Sequence, residues 1–170
     1  GVIFTPFNWR ASSPEIAYVI EDAEAVVVVY EARSAEAVLS AVKETGFSKN
    51  QLVRVDGEGD GLYFSDLRSD TLYQGPAPDN DGNICLMLYT SGTTGRPKGV
   101  PRSHAAERNA SLGCVAQLHY TYGDVCLGVM PLFHTMGIRS LMMSAILNGT
   151  FVCMPAYDTD CLLYTSDAAD

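Results

Sequence analysis

The residues best equipped for chemistry lie together in one run, residues 89–100, which read YTSGTTGRPKGV. Thr90, Ser91, Thr93 and Thr94 place four hydroxyls within five positions. Gly92 and Gly95 permit backbone conformations that side chains forbid, so neighbouring N–H groups can turn inward. Lys98 adds one compact, mobile positive charge. Phosphate oxygens accept hydrogen bonds from amide, hydroxyl and ammonium alike, so the run suits a triphosphate. It is not a Walker loop, which needs Gly immediately before the lysine and Ser or Thr immediately after. Here Pro97 and Gly99 hold those places. Arg96-Pro97 favours an extended rather than helical exit.

Three histidines and five cysteines are the other reactive groups. His134 falls between a strand end and a helix start, where ligands of α/β folds gather. His104 is expected to help start a helix, and His119 to lie on the surface near a helix end. Cys85, Cys114, Cys126, Cys153 and Cys161 form no C-x-x-C pair and have no histidine at metal-ligand spacing. Their odd number predicts reduced, mostly core thiols in a cytoplasmic protein.

The elements that must position these groups follow from periodicity. Ser13 as cap, with Pro14 and Glu15 after it, predicts a helix start, and Ile16, Ala17, Val19, Ile20 and Ala23 recur at helical spacing. Residues 25–30 are an apolar, β-branched run and read as a buried strand of a parallel sheet. Residues 34–45 predict a helix stopped by Gly46, and residues 52–55 a strand, which together make a βαβ unit. The polar, Pro/Gly/Asp-rich stretch 74–83 reads as a linker. Strands are expected at 84–89, 125–130 and 150–154. Helices are expected at 104–119, capped by Ser103, and at 135–147. The strand at 84–89 would deliver the chain into the Gly/Thr-rich loop, at the end of a parallel strand. The fold class is α/β, layered sheet and helix.

Bulk properties narrow the function. The chain is 47% apolar and carries a formal charge of -9. An acidic chain without a Lys/Arg cluster is poorly suited to nucleic acid or an anionic membrane surface. The apolar runs are too short for a transmembrane segment. Residues 161–170 (CLLYTSDAAD) break the rhythm of the chain and read, with 159–160, as a non-native tail.

The loop resembles the signature of the adenylate-forming superfamily, Thr/Ser-Ser-Gly-Thr-Thr-Gly-x-Pro-Lys-Gly, and every signature position matches. Pro6-Phe-Asn-Trp-Arg10, the Ser103-His104 pair and residues 131–137 (PLFHTMG) are similar to further elements of the superfamily. The likeness extends over residues 1–158 and implies a slice of the large N-terminal domain. It implies ATP phosphates bound by Thr90, Ser91, Gly92, Thr93, Thr94, Gly95 and Lys98, with Thr94 a candidate Mg2+ ligand. It places His134 and Gly137 at the acyl and nucleotide pockets. The implied reaction joins a small-molecule carboxylic acid to AMP, with coenzyme A as the thiol that then takes the acyl group. Residues 127–137 look more like a CoA ligase than an amino-acid adenylation domain of a peptide synthetase. That domain and a non-catalytic nucleotide-binding remnant stand as alternatives. The superfamily's adenine, ribose and C-terminal lysine elements do not occur before residue 158, so the chain by itself is expected to be inactive.

Overall fold

Ser12 caps the first helix, one residue earlier than expected. Its amide and hydroxyl both donate to the Glu15 carboxylate, at 2.8 and 2.7 Å. Those two bonds, the hydroxyl first, hold Glu15 below the usual carboxylate range. The computed structural model of the chain describes residues 1–69, 71, 74–75, 80–90, 96–154, 156–160 and 162. Helix α1 (Ser13–Asp22) buries Ile16, Ala17, Val19 and Ile20 on one face. Strand β1 (Val28–Tyr30) follows, then a 3-10 turn and helix α2 (Ala35–Thr45). Gly46 takes the left-handed conformation (φ 70°) that ends α2, which glycine adopts without steric cost.

Strands β2 (Leu52–Arg54) and β3 (Leu62–Tyr63) complete a parallel sheet of order β1-β2-β3. The expected βαβ unit is therefore present. Its core joins α1 and α2 to the sheet through Ile16, Ile20, Tyr30, Val38, Ala41 and Leu52. The buried strand expected over 25–30 is shorter and only half covered. Val26, Val27 and Val29 are 66%, 52% and 52% exposed. β1 lies at the edge of this sheet, and Val29 on its outer face is half exposed.

The second half of the described chain holds two smaller sheets. Strand β4 (Ile84–Thr90) pairs antiparallel with β5 (Lys98–Ser103), a strand absent from the sequence reading. The loop between them is therefore a hairpin connection, not the exit of a parallel strand as expected. The parallel contact made by β4 is a single bridge, Phe4 to Leu86. β5 escapes detection because Pro101, Arg102 and Ser103 give it no apolar alternation. Helix α3 (His104–Leu118) is capped as expected, the Ser103 hydroxyl accepting from the Ala106 amide at 3.2 Å. Strand β6 (Val125–Gly128), helix α4 (Thr135–Ile146) and strand β7 (Thr150–Cys153) make a second parallel βαβ unit. His119 and Asn148 end their helices at positive φ, 58° and 50°.

Two features tie the hairpin to the helices. Leu86 and Leu88 of β4 form one apolar cluster with Ile138 of α4. On the α3 side, Arg102 of β5 pairs with Glu107, which is only 3% exposed. Residues 161 and 163–170 of the expected tail and residues 76–79 of the expected linker lie outside the described residues.

Candidate functional site

The hairpin fixes both feet of the hydroxyl- and glycine-rich loop. Thr90, the last residue of β4, pairs with Lys98, the first of β5, and Tyr89 pairs with Gly99. Both Thr90 and Lys98 are exposed. Among the described residues Lys98 has no carboxylate partner, so its ammonium is available to an anion at the loop. The loop crown expected to hold phosphate, Ser91, Gly92, Thr93, Thr94 and Gly95, lies outside the described residues.

The feet rest on α1. The Tyr89 hydroxyl donates to the Asp22 carboxylate at 2.7 Å. The Tyr18 hydroxyl lies 3.2 Å from the other Asp22 oxygen and 3.1 Å from the Pro97 carbonyl, sharing its one proton between these acceptors. Tyr89 also meets Phe7 and Tyr18 edge-on, at centroid separations of 6.0 and 6.5 Å. Burial, followed by the bond to Asp22, pushes the Tyr89 hydroxyl well above its ordinary range. Arg96 lies over the Tyr18 ring at 5.8 Å. Gly99 lies opposite, where a Cβ would come within 2.9 Å of the Met87 sulfur and 3.3 Å of the Tyr89 ring, so a larger residue there would make these side chains shift.

A groove of about 390 Å³ opens where α1, the end of α2 and the loop exit meet. Glu15, Glu21 and Glu44 line it, against Arg96 alone. Three carboxylates repel a triphosphate, so this groove is not the anion seat.

His134 and Gly137 sit at the start of α4. His134 is the cap residue, exposed, with its ring 4.9 Å from that of Phe133. Its backbone performs the structural work: the amide donates to Pro131 at 3.0 Å and the carbonyl accepts from Ile138 at 3.2 Å. Its side chain makes no cap bond, which leaves the ring free for a ligand. Gly137 is buried, and a Cβ there would fall 2.1 Å from the Pro131 carbonyl oxygen. Absence of a side chain is thus a packing requirement, which the sequence reading did not foresee. Ile138, the next residue, shares the apolar cluster with Leu88, two positions before Thr90. This links the start of α4 to the β4 foot of the loop.

His119 closes α3 and is exposed, as expected; His104 opens the helix and is exposed too, while the cap bond is made by Ser103. Cys85, Cys114, Cys126 and Cys153 are free thiols. Burial, and after it the charge of Glu107, pushes the Cys85 thiol up, away from the thiolate a nucleophile needs. Among the described residues no group of His, Cys, Asp and Glu fits a metal ion, and no helix is long and apolar enough to cross a membrane. Tyr18 and Asp22 belong to the site although no motif marks them. Their signal was spacing: they stand four apart on α1, away from the apolar positions.

A family model described as AMP-binding enzyme matches residues 1–166. The chain is 31% identical over 160 residues to the long-chain-fatty-acid–CoA ligase FadD13 of Mycobacterium tuberculosis, covering 93% of this chain and 31% of that protein. It is 30% identical over 169 residues to a feruloyl-CoA synthase of an Amycolatopsis species, covering 96% of this chain and 31% of that protein. In structure it is similar to a Rhodopseudomonas palustris protein assigned as a long-chain-fatty-acid CoA ligase, with a TM-score of 0.85 at 28% identity. That match covers 98% of this chain and 42% of the other. The chain thus spans about a third of the length of these curated relatives.

Proposed function

This chain belongs to the AMP-binding enzyme family, and we propose that the protein carrying it is an acid–thiol ligase that activates a carboxylic acid with ATP and transfers it to coenzyme A. In the first step a carboxylate oxygen attacks the α-phosphorus. The bond to the bridging oxygen breaks, and pyrophosphate leaves. In the second step a thiolate attacks the acyl carbon and AMP leaves.

This chain's part is to hold the outer phosphates. Negative charge grows on the departing pyrophosphate, and stabilising it lowers the barrier to the first step. Lys98 supplies a positive charge from the foot of the loop. Thr90 offers a hydroxyl on the facing strand. Ser91, Gly92, Thr93, Thr94 and Gly95 would supply the remaining hydroxyls and amides. The described residues hold no metal cluster of their own. Mg2+, which neutralises phosphate charge, would arrive with the nucleotide, with Thr94 as its candidate ligand. His134, its side chain free of structural duty, would face the acyl or nucleotide pocket.

The observation that carries the reading is Lys98, without a carboxylate partner among the described residues, directly across a hairpin from the first hydroxyl of a glycine-rich loop. The named relatives favour coenzyme A over a carrier protein as acceptor, because both are CoA ligases or synthases. One is named for fatty acids and the other for an aromatic acid, so the acid itself is left open. We place the reaction in the longer protein, in the cytoplasm, without nucleic acid as partner, and expect the 170-residue chain alone to be inactive. The test is acid-dependent exchange of labelled pyrophosphate into ATP by the full-length protein, over a panel of carboxylic acids, followed by coenzyme A or a phosphopantetheinyl carrier as acceptor. Absence of exchange with every acid would overturn the reading. Transfer to the carrier alone would move the protein to the peptide-synthetase type.

A further inference from the structure

We propose that Tyr18 and Asp22 of α1 are positioning residues for the nucleotide loop, acting as a clasp that holds its two feet together. The inference rests on the reading above only for what the loop binds. The entry foot is held through Tyr89, whose hydroxyl donates to Asp22 at 2.7 Å. The exit foot is held through the Pro97 carbonyl, 3.1 Å from the Tyr18 hydroxyl. The two anchors are joined to each other, because Tyr18 and Asp22 are four apart on one helix and lie 3.2 Å apart at their polar atoms.

The residues fastened are the immediate neighbours of the two groups that matter. Tyr89 precedes Thr90, and Pro97 precedes Lys98. Ladder bonds of the hairpin already fix the register of Thr90 against Lys98. The clasp adds a fixed support outside the ladder, on an α1 that is itself locked into the core by Ile16 and Ile20.

The physical reason for such a device lies in the composition of the loop. Glycine carries the largest backbone entropy of any residue, so fixing a glycine-containing run around a ligand costs more than fixing other sequence. A loop whose feet are already fixed has fewer states to lose, so the same contacts give tighter binding. The clasp acts on ground-state affinity for the nucleotide and leaves the later thiol step alone.

The experiment uses the full-length protein and four variants: Asp22→Ala, Asp22→Asn, Tyr89→Phe and Tyr18→Phe. Amide hydrogen exchange is followed in the peptide spanning 88–100, and KM for ATP and kcat are measured by pyrophosphate exchange. Thioester formation from supplied acyl-AMP is measured beside them. Asp22→Ala removes a carboxylate that accepts from the Tyr89 hydroxyl and shares the Tyr18 proton, so KM for ATP should rise about tenfold or more, with kcat and the thioester step within about twofold. Exchange of the 88–100 peptide should quicken, while peptides of α2 and α4 keep their protection. Asp22→Asn, which still accepts a bond, should recover part of the loss.

Unchanged exchange at 88–100 together with unchanged KM would overturn the clasp. Equal losses in both half-reactions, or exchange quickened throughout the protein, would show α1 to be only structural and would overturn it too. A wild-type protein without pyrophosphate exchange would refute the nucleotide reading and not the clasp, whose existence the peptide protection decides by itself.

Discussion

Replacing Gly137 by alanine sets two known effects against each other. Gly137 lies within α4, and its backbone is compatible with helix. At an unobstructed helical site, Gly→Ala stabilises by about 1 kcal/mol. Here the new Cβ would fall 2.1 Å from the Pro131 carbonyl oxygen and 2.7 Å from that of Met130. The Pro131 oxygen would have to recede by about 1.3 Å to reach the 3.4 Å at which ordinary contact begins. That oxygen is backbone, and it accepts the His134 amide that sets the helix start, so it cannot give way cheaply. Overpacking by one carbon costs about 1–3 kcal/mol even where side chains can move, and backbone obstruction belongs at the upper end. The net is a destabilisation of about 1–2 kcal/mol, which lowers Tm by about 1–4 °C in a protein longer than about 250 residues. Thermal denaturation of the full-length protein, scanned with and without ATP, is the assay. The displaced first turn should also disturb Ile138 and its contacts with Leu86 and Leu88, so ATP should protect the variant less than the wild type. A Tm unchanged or raised would refute the packing argument. Normal stability with a changed KM for the acid would make Gly137 a pocket wall instead.

Three other outcomes are expected. Lys98→Ala should slow adenylation about tenfold, the lower end for a charge-assisted bond because the ammonium is exposed and must shed water, and thioester formation from acyl-AMP should be spared; the two half-reactions, assayed separately, decide this. His134→Ala should reduce turnover while Tm stays within about 2 °C, since its side chain supports no helix bond; activity and melting measured on the same preparation check it. Tyr89 carries a hydroxyl whose folded pKa lies above its ordinary value of 10.0, mainly through burial. The stability tied to its neutral form is therefore complete below about pH 10 and is lost as pH climbs from there through the folded value. Tm should fall above about pH 10, and less steeply in Tyr89→Phe, as a pH series of melting curves would show.

Much of the architecture is legible in local chemistry. Gly46 ends α2, Ser103 caps α3 and Asn148 ends α4 because each requirement is met by one residue type at one position. The glycine- and hydroxyl-rich run at 89–100, proposed to hold phosphate, stands out in the sequence by its residue types and spacing. What escapes is set by partners far along the chain. β5 has no strand pattern of its own and exists because β4 offers it a ladder. The length of β1 is decided by the reach of β2, which pairs Val28 through Tyr30 and no further. Glu107 is buried beside Arg102 of β5, a charged pair that no local pattern announces. The clasp is hidden by distance, 67 residues separating Asp22 from Tyr89. The Gly137 packing role depends on a carbonyl six positions earlier folding back under α4, which no side-chain pattern records.

The open edge of β1 carries a hazard of its own. Residues 25–30 read AVVVVY, with no charge, proline or glycine to interrupt them. Short uncharged runs of this kind are the segments that stack into cross-β fibrils when their backbone is left unpaired. Wherever no other part of the protein covers this edge, two copies can add strands to one another through it. The yield of folded protein would then fall with concentration during refolding. A lysine at Val27 or Val29, both facing water, would act as a gatekeeper against that route.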